Sequence, residues 1–291
     1  MTAKQFADFL ESSQEEFISS LSDTQEYIYK KIVDIILDKT NGGKFELSNL
    51  DMAELEDELI DVLKKSDYSK IITNYLELFT VIESRIITEQ AEINNIKANR
   101  IREIFKKSQS NDFIKNKIVD SLKGLGVKQS VIKPLSDLLK QNSIFNTSSK
   151  ELKDIISKHI KDNNIVKRYV SQITNDALNQ YDGAMNNEIK LVFGYDKLRY
   201  IGNVIETSRP ICTHIMHNFN GNISESDLKK VLNEYCPNGK PSQSQIEYET
   251  INGVIRKSKK GAGMIEDTTM INFTQNRGGY ECRHRAIWSR K

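Results

Sequence analysis

The residue types best suited to chemistry lie in the last third of the chain, in two short clusters. Cysteine and histidine occur as Cys212-x-His214-x-x-His217 and again as Cys282-x-His284. Zinc takes thiolate and imidazole ligands in a tetrahedron, and a fold that brings two such clusters together can supply four of them. These five residues are therefore candidate zinc ligands. Neither cluster has the CxxC or HxxxH spacing usual at zinc sites, so the favoured alternative is a buried cysteine pair near surface histidines, without a cofactor.

A second interpretation of the same residues is hydrolysis. A histidine could act as general base while an arginine holds a phosphate or an oxyanion. The residues concerned are His214, His217 and His284 for the base and Arg209, Arg283 and Arg285 for the anion. The sequence has no phosphate-binding loop and no motif that defines a nucleophile or a carboxylate pair. A metal-dependent nuclease or toxin-like hydrolase therefore stands as the alternative to a protein without catalysis.

The charge of the chain is divided unevenly along its length. From Tyr195 to Lys291 there are 15 Lys and Arg against 10 Asp and Glu, so this part carries +5 and the first 194 residues carry −3. A basic surface attracts polyanions in a salt-dependent way. We therefore expect any contact with DNA phosphates in the C-terminal third, and an ordinary solvated surface is the alternative. The candidate residues are Lys257, Lys259, Lys260, Arg283 and Arg285.

Hydropathy and cysteine use favour a cytoplasm-like compartment. No apolar run approaches the roughly 18 to 20 residues needed to cross a bilayer, and the first residues lack the layout of a signal peptide. All three cysteines follow residue 211. An odd cysteine count without a secretion signal argues against a disulfide framework. We therefore expect reduced thiols and no membrane partner.

The elements that must position these residues differ on the two sides of residue 194. Before it, apolar residues recur at helical spacing from Ala3 to about Phe193, with few breakers. After it, short strands and helices alternate with long loops, and Ser224 is predicted to cap one helix with Asp227 three positions on. The predicted fold class is a mainly α N-terminal arm or bundle, residues 1–194, followed by a small α+β C-terminal domain, residues 195–291.

The final strand is predicted at Tyr280–Ser289, directly after Gly278-Gly279. Because side chains alternate across a strand, one face is expected to be buried and the other mostly charged. The buried face carries Tyr280, Cys282, His284, Ala286 and Trp288, and the other carries Glu281, Arg283, Arg285 and Ile287. Arg283 and Arg285 are then available for acidic side chains, a partner or DNA phosphates.

Three segments occur in a fixed order in the C-terminal part of the chain. They are Tyr200-Ile-Gly202, Thr207-Ser-Arg209-Pro210-x-Cys212 and Gly278-Gly279-Tyr280-x-Cys282-Arg283-His284. This order resembles the C-terminal domain of tailed-phage minor head proteins, the Mu-F-like head morphogenesis family, whose members carry similar segments after a helical N-terminal region. The resemblance covers roughly residues 165–291.

The resemblance implies a structural role in the assembly of a phage procapsid near the portal. The implied partners are the portal protein and the major capsid or scaffold protein, with double-stranded DNA in some relatives. The implied location is the virion, in the capsid interior or portal region, after assembly in the host cytoplasm. The resemblance also implies that Arg209, Cys212, Cys282, Arg283 and His284 meet in space and hold the domain together. Some phage minor capsid proteins carry toxin or nuclease modules, which keeps the enzymatic alternative open.

Overall fold

The computed structural model describes residues 3–174, 177–205, 208–240, 248–251, 254–257, 265–279, 282 and 284–290. The chain forms two compact units, each built from separate stretches of sequence. The first unit comprises Met1–Ser13, Leu78–Lys115 and Asn175–Lys291, and the second comprises Gln14–Glu77 and Asn116–Thr174. Residue 194 therefore marks a change in secondary structure, whereas the compact unit that holds the C-terminal strands also takes in helical segments from earlier in the chain.

The predicted fold class is confirmed: the chain is mainly helical, with a small C-terminal region that contains antiparallel strands. The helices are α1 Ala3–Asp38, α2 Asn49–Lys65, α3 Tyr68–Asn94, α4 Ala98–Lys107, α5 Gln109–Lys123, α6 Leu125–Val127, α7 Lys133–Ile144, α8 Ser149–Ser157, α9 Ile165–Thr174, α10 Ala177–Phe193, α11 Pro210–Asn218, α12 Glu225–Tyr235 and α13 Phe273–Asn276. Two π-helical segments, Lys128–Ile132 and Lys158–Asp162, and a 3₁₀ turn, Pro237–Gly239, complete the helical structure of the described residues. The strands are β1 Thr40–Asn41, β2 Lys44–Phe45, β3 Lys197–Ile201, β4 Asn222–Ser224, β5 Tyr248–Ile251, β6 Val254–Lys257 and β7 Arg285–Ser289.

The second unit is helical, and its helices follow local sequence signals. The Ser48 hydroxyl accepts a hydrogen bond from the Asp51 amide, and the Asp51 carboxylate accepts one from the Ser48 amide, which is a capping box at the start of α2. Leu55, Leu59 and Leu63 recur every fourth residue and are buried. The packing is dense enough for the rings of Phe17 and Tyr75 to stack 4.1 Å apart. None of the helices that the structure describes is both long and apolar enough to span a membrane.

The first unit contains a three-stranded antiparallel sheet in the order β4-β3-β7. The central strand β3 pairs Leu198 with Trp288 and Tyr200 with Ala286 of β7. On its other edge β3 pairs with β4, which leads directly into α12. The prediction for this helix is confirmed, because Ser224 accepts the Asp227 amide hydrogen bond as its N-cap. The sheet thereby holds β3, β4 and β7 next to one another, and these strands carry or flank the candidate site described below.

Within β7, the face that carries Arg285 and Ile287 is buried, and of the roles expected for Arg285 the structure shows contact with acidic side chains. Glu281 and Arg283, expected on the same face, lie outside the described residues. Every residue of β7 is buried, and the Arg285 side chain is only 1% exposed. Its guanidinium forms a two-pronged contact with Asp182 of α10, through Nε at 2.8 Å and Nη2 at 2.6 Å. The Nη1 atom lies 2.6 Å from a Glu89 carboxylate oxygen of α3, as an ion pair without the alignment of a hydrogen bond. Arg285 is therefore committed to internal carboxylates and is not available to DNA phosphates.

Candidate functional site

The three sequence segments of the C-terminal part converge on one buried cluster. Tyr200 comes from β3, Cys212 from α11, and Cys282 and His284 from the chain just before β7. The two sulfur atoms are 3.9 Å apart, and Cys282 Sγ lies 3.8 Å from Nδ1 of His284. The Tyr200 hydroxyl lies 3.3 Å from Cys212 Sγ and 3.4 Å from Cys282 Sγ. We call these four residues the cysteine-histidine cluster.

Burial of the cluster is almost complete. The exposed fractions are 2% for Tyr200, 1% for Cys212, 4% for Cys282 and 3% for His284. The Tyr200 and His284 rings stack with their planes 6° apart and their centroids 4.9 Å apart. Aromatic contact and burial therefore hold the histidine ring against β3.

Two glycines of the segments are required by the close packing of this cluster. A Cβ atom on Gly278 would overlap the Cys212 sulfur and come within 3.1 Å of the Cys282 sulfur. A Cβ atom on Gly202 would come within 2.7 Å of Cδ2 in the His284 ring. Real Cβ atoms do not tolerate such contacts, so only glycine allows the backbone to approach so closely. The glycines thus belong to the same site as the cysteines and the histidine.

The electrostatics of the cluster centre on one sulfur. The hydrogen bond from Cys212 holds the pKa of Cys282 well below its ordinary value, with smaller contributions from His284 and the positive charge of Arg277. The same hydrogen bond, together with burial, raises the pKa of the Cys212 thiol, and the charge of Arg209 opposes this. Burial first, and the two sulfurs second, raise the pKa of Tyr200 well above its ordinary value. The contact between the two thiols therefore favours ionisation of Cys282 over ionisation of Cys212.

Arg277 is a residue of the site that the sequence analysis missed. Its Nη1 donates hydrogen bonds to the backbone carbonyls of Cys282 at 3.0 Å and His284 at 2.8 Å, and the residue is 2% exposed. By holding both carbonyls, it fixes the backbone that carries two members of the cluster. The sequence signal that could have indicated a role for Arg277 is its position immediately before Gly278-Gly279.

The structure separates the five candidate zinc ligands into two groups. Cys212, Cys282 and His284 place their ligand atoms within 4.8 Å of one another. His214 instead lies 3.0 Å from the Tyr235 hydroxyl and 3.2 Å from the Asn218 amide, and His217 is exposed. The separation follows from α11 being helical, because residues two positions apart on a helix point about 200° away from each other. His214 and His217 are therefore not part of the cluster.

The arginines and lysines proposed for anion or DNA binding lie in different parts of the chain, and only some of them are described. Arg209 is the N-cap residue of α11, and its charge reaches Cys212. Lys257 is the last residue of β6. Lys259, Lys260 and Arg283 lie outside the described residues. A DNA-binding surface formed by the three lysines and Arg283 therefore stays a prediction. Arg285 does not belong to such a surface, because it is buried.

Comparison of the chain with known protein families, with curated proteins and with solved structures finds no match. The relation to tailed-phage minor head proteins is accordingly a resemblance carried by the three segments.

Proposed function

We propose that the protein is a structural component of a tailed-phage head, a minor head protein that acts in procapsid assembly near the portal. The observation that carries the proposal is the convergence of the three segments. Residues separated by as many as 84 positions, Tyr200 and His284, meet in one buried cluster. The three segments on which the resemblance rests therefore have one common explanation: they form a buried cluster that holds the C-terminal part of the chain together.

Burial of the cluster supports a structural role over the nuclease alternative. A hydrolytic centre keeps a ligand position open to water and substrate. Here Cys212 and Cys282 are 1% and 4% exposed, and the His284 side chain is stacked on Tyr200. Arg285, one of the arginines considered for an anion, is neutralised by Asp182 and Glu89. A role in holding the domain together requires no chemistry from these groups.

Contact with packaged DNA would form part of this role, and one region of the first unit suits it. A cavity of 620 Å³ is lined by Lys97, Arg100 and Arg290, with Asp196 as a carboxylate among them. The Arg100 guanidinium lies 4.8 Å from the ring centre of Phe193 in the same cavity. Cations beside an aromatic ring are typical of surfaces that contact phosphates and bases.

The test of the head-protein proposal is location. The full-length protein should be found by mass spectrometry in procapsids and mature particles purified from the host that carries its coding sequence, and should cross-link to the portal or shell. Cys282→Ser should reduce incorporation into procapsids, whereas Cys236→Ser, which changes a buried cysteine outside the cluster, should leave it unchanged. Particles that lack the protein would overturn the proposal, as would plasmid cleavage that His284→Ala abolishes while assembly continues.

The DNA contact is tested separately with purified protein. Replacing Arg100 and Arg290 together by glutamine should weaken binding about equally for unrelated sequences and lower the salt slope by about 2, since each phosphate contact contributes roughly 0.9. Replacing Lys229 and Lys230 by glutamine makes the same change of charge at two exposed positions of α12 in the same unit and serves as the control. Equal losses in both double variants would assign the effect to net charge alone and refute the cavity as the contact.

A further inference from the structure

We propose that Cys212, Cys282 and His284 bind one Zn²⁺ ion, with the Tyr200 hydroxyl oxygen as the fourth ligand. The inference concerns the cysteine-histidine cluster alone and does not depend on a role in a phage head. Thiolate and imidazole are the ligands typical of structural zinc sites, and such sites are closed to solvent.

The distances within the cluster match the edges of a zinc tetrahedron. With zinc–sulfur bonds of about 2.3 Å and zinc–nitrogen bonds of about 2.05 Å, a tetrahedron has sulfur–sulfur edges of about 3.8 Å and sulfur–nitrogen edges of about 3.6 Å. The corresponding distances are 3.9 Å between the two sulfurs and 3.8 Å from Cys282 Sγ to His284 Nδ1. The third edge, from Cys212 to His284, is at most 4.8 Å. One ion therefore reaches all three atoms after a contraction of about 1 Å along a single edge.

The Tyr200 oxygen meets the two sulfur–oxygen edge lengths expected of the fourth corner. A tetrahedral sulfur–oxygen edge is about 3.5 Å for a zinc–oxygen bond of about 2.0 Å. The hydroxyl lies 3.3 Å from Cys212 Sγ and 3.4 Å from Cys282 Sγ, so it is nearly equidistant from the two sulfurs, as a corner must be. The tyrosine cannot move away easily, because its side chain is 2% exposed and stacked on His284.

The surroundings hold the ligands in place. Arg277 fixes the carbonyls of Cys282 and His284, so two ligands are positioned by the protein itself. Gly278 presents no Cβ to the two sulfurs. His284 directs Nδ1 toward the cluster, while its buried Nε2 has no hydrogen-bond partner among the residues that the structure describes. The ring is thus oriented to coordinate through Nδ1.

Charge balance favours a divalent cation at this position. Two thiolates in a buried site cost free energy unless a positive charge compensates them. Zn²⁺ with two thiolates, a neutral imidazole and a neutral hydroxyl has no net charge. Each thiol releases its proton to solvent when the ion binds.

The first experiment measures metal in the unaltered full-length protein. Purified under reducing conditions, it should contain about one zinc per chain, and the stripped, refolded protein should take up one equivalent of Co²⁺ with the visible bands of a tetrahedral thiolate complex. Folded, reduced protein that takes up neither metal would overturn the proposal. A Cys212–Cys282 disulfide in the isolated protein, with no metal uptake after its reduction, would overturn it as well.

Matched variants locate the site. Cys282→Ser and His284→Gln should lose the cobalt bands, whereas Cys236→Ser and His214→Gln should keep one equivalent, since these residues lie outside the cluster. Emission of Trp288 checks that each variant is folded. If a cluster variant does not fold, the Co²⁺ titration of the unaltered protein decides whether the metal site exists. Equal uptake by all four variants would refute the site.

Tyr200→Phe tests the fourth ligand. It should retain one equivalent of Co²⁺ with shifted visible bands and an affinity lower by at least about 10-fold, because removing even a group that only hydrogen-bonds to a ligand lowers metal affinity by about 10- to 100-fold. A spectrum and affinity identical to those of the unaltered protein would overturn the assignment of the tyrosine oxygen.

Discussion

Substitution of Arg285 is predicted to destabilise the first unit strongly. Its guanidinium neutralises Asp182 and Glu89, and all three side chains are at most 4% exposed. Arg285→Met keeps most of the apolar stem but leaves two carboxylates buried without a cation. Removing one partner of a buried ion pair costs about 3–5 kcal/mol, and loss of the contact with the Phe6 ring, 4.5 Å away, adds to it.

The measurement is urea unfolding followed by tryptophan emission. Trp288 is the single tryptophan of the chain, is fully buried and belongs to the same strand as Arg285, so it reports on this unit. The free energy of unfolding of Arg285→Met should fall by about 3–5 kcal/mol. Arg102→Met, which removes an exposed arginine from α4, should change it by less than about 0.5 kcal/mol.

A combined variant separates the charge effect from lost packing. Adding Asp182→Asn and Glu89→Gln to Arg285→Met removes the uncompensated carboxylates, so the triple variant should recover most of the lost stability. A loss below about 1 kcal/mol for Arg285→Met would refute the reasoning, because burial of two unpaired carboxylates costs more than that. A large loss without recovery in the triple variant would assign the effect to packing.

Three further predictions concern single side chains. Gly278→Ala should lower the free energy of unfolding by about 1–3 kcal/mol and speed the reaction of Cys212 and Cys282 with a thiol reagent, because the added methyl group overlaps the Cys212 sulfur; unchanged thiol kinetics would contradict this. Gly183→Ala should cost a similar amount, since its Cβ would overlap the Thr274 carbonyl, and thermal unfolding unchanged from that of the unaltered protein would contradict the contact between α10 and α13. Burial, and then the charge of Arg168, lower the pKa of His159 in the folded protein, so stability should fall as pH decreases from about 6.5 toward that lowered pKa. His159→Gln should flatten this part of the stability–pH curve, and an identical slope in both proteins would refute the assignment.

The sequence alone determined the features that depend on neighbours along the chain. Helical periodicity predicted the mainly α fold, and the serine at position 224 predicted the start of α12, because caps and amphipathic spacing act within one or two turns. For residues distant along the chain, the only indication was the resemblance to minor head proteins, which implied that Cys212, Cys282 and His284 meet.

Only the tertiary structure decided what covers each side chain. Strand alternation placed Arg285 on the face opposite His284, but it carried no information on Asp182, which is 103 residues earlier in the chain. Other features depend in the same way on contacts between distant segments. These are the composition of the compact units and the position of Tyr200 beside both sulfurs. The hydrogen bonds of Arg277 to two backbone carbonyls likewise could not be predicted from spacing. Such contacts arise from packing of whole elements, whereas spacing along the sequence fixes only the direction in which a side chain leaves its own element.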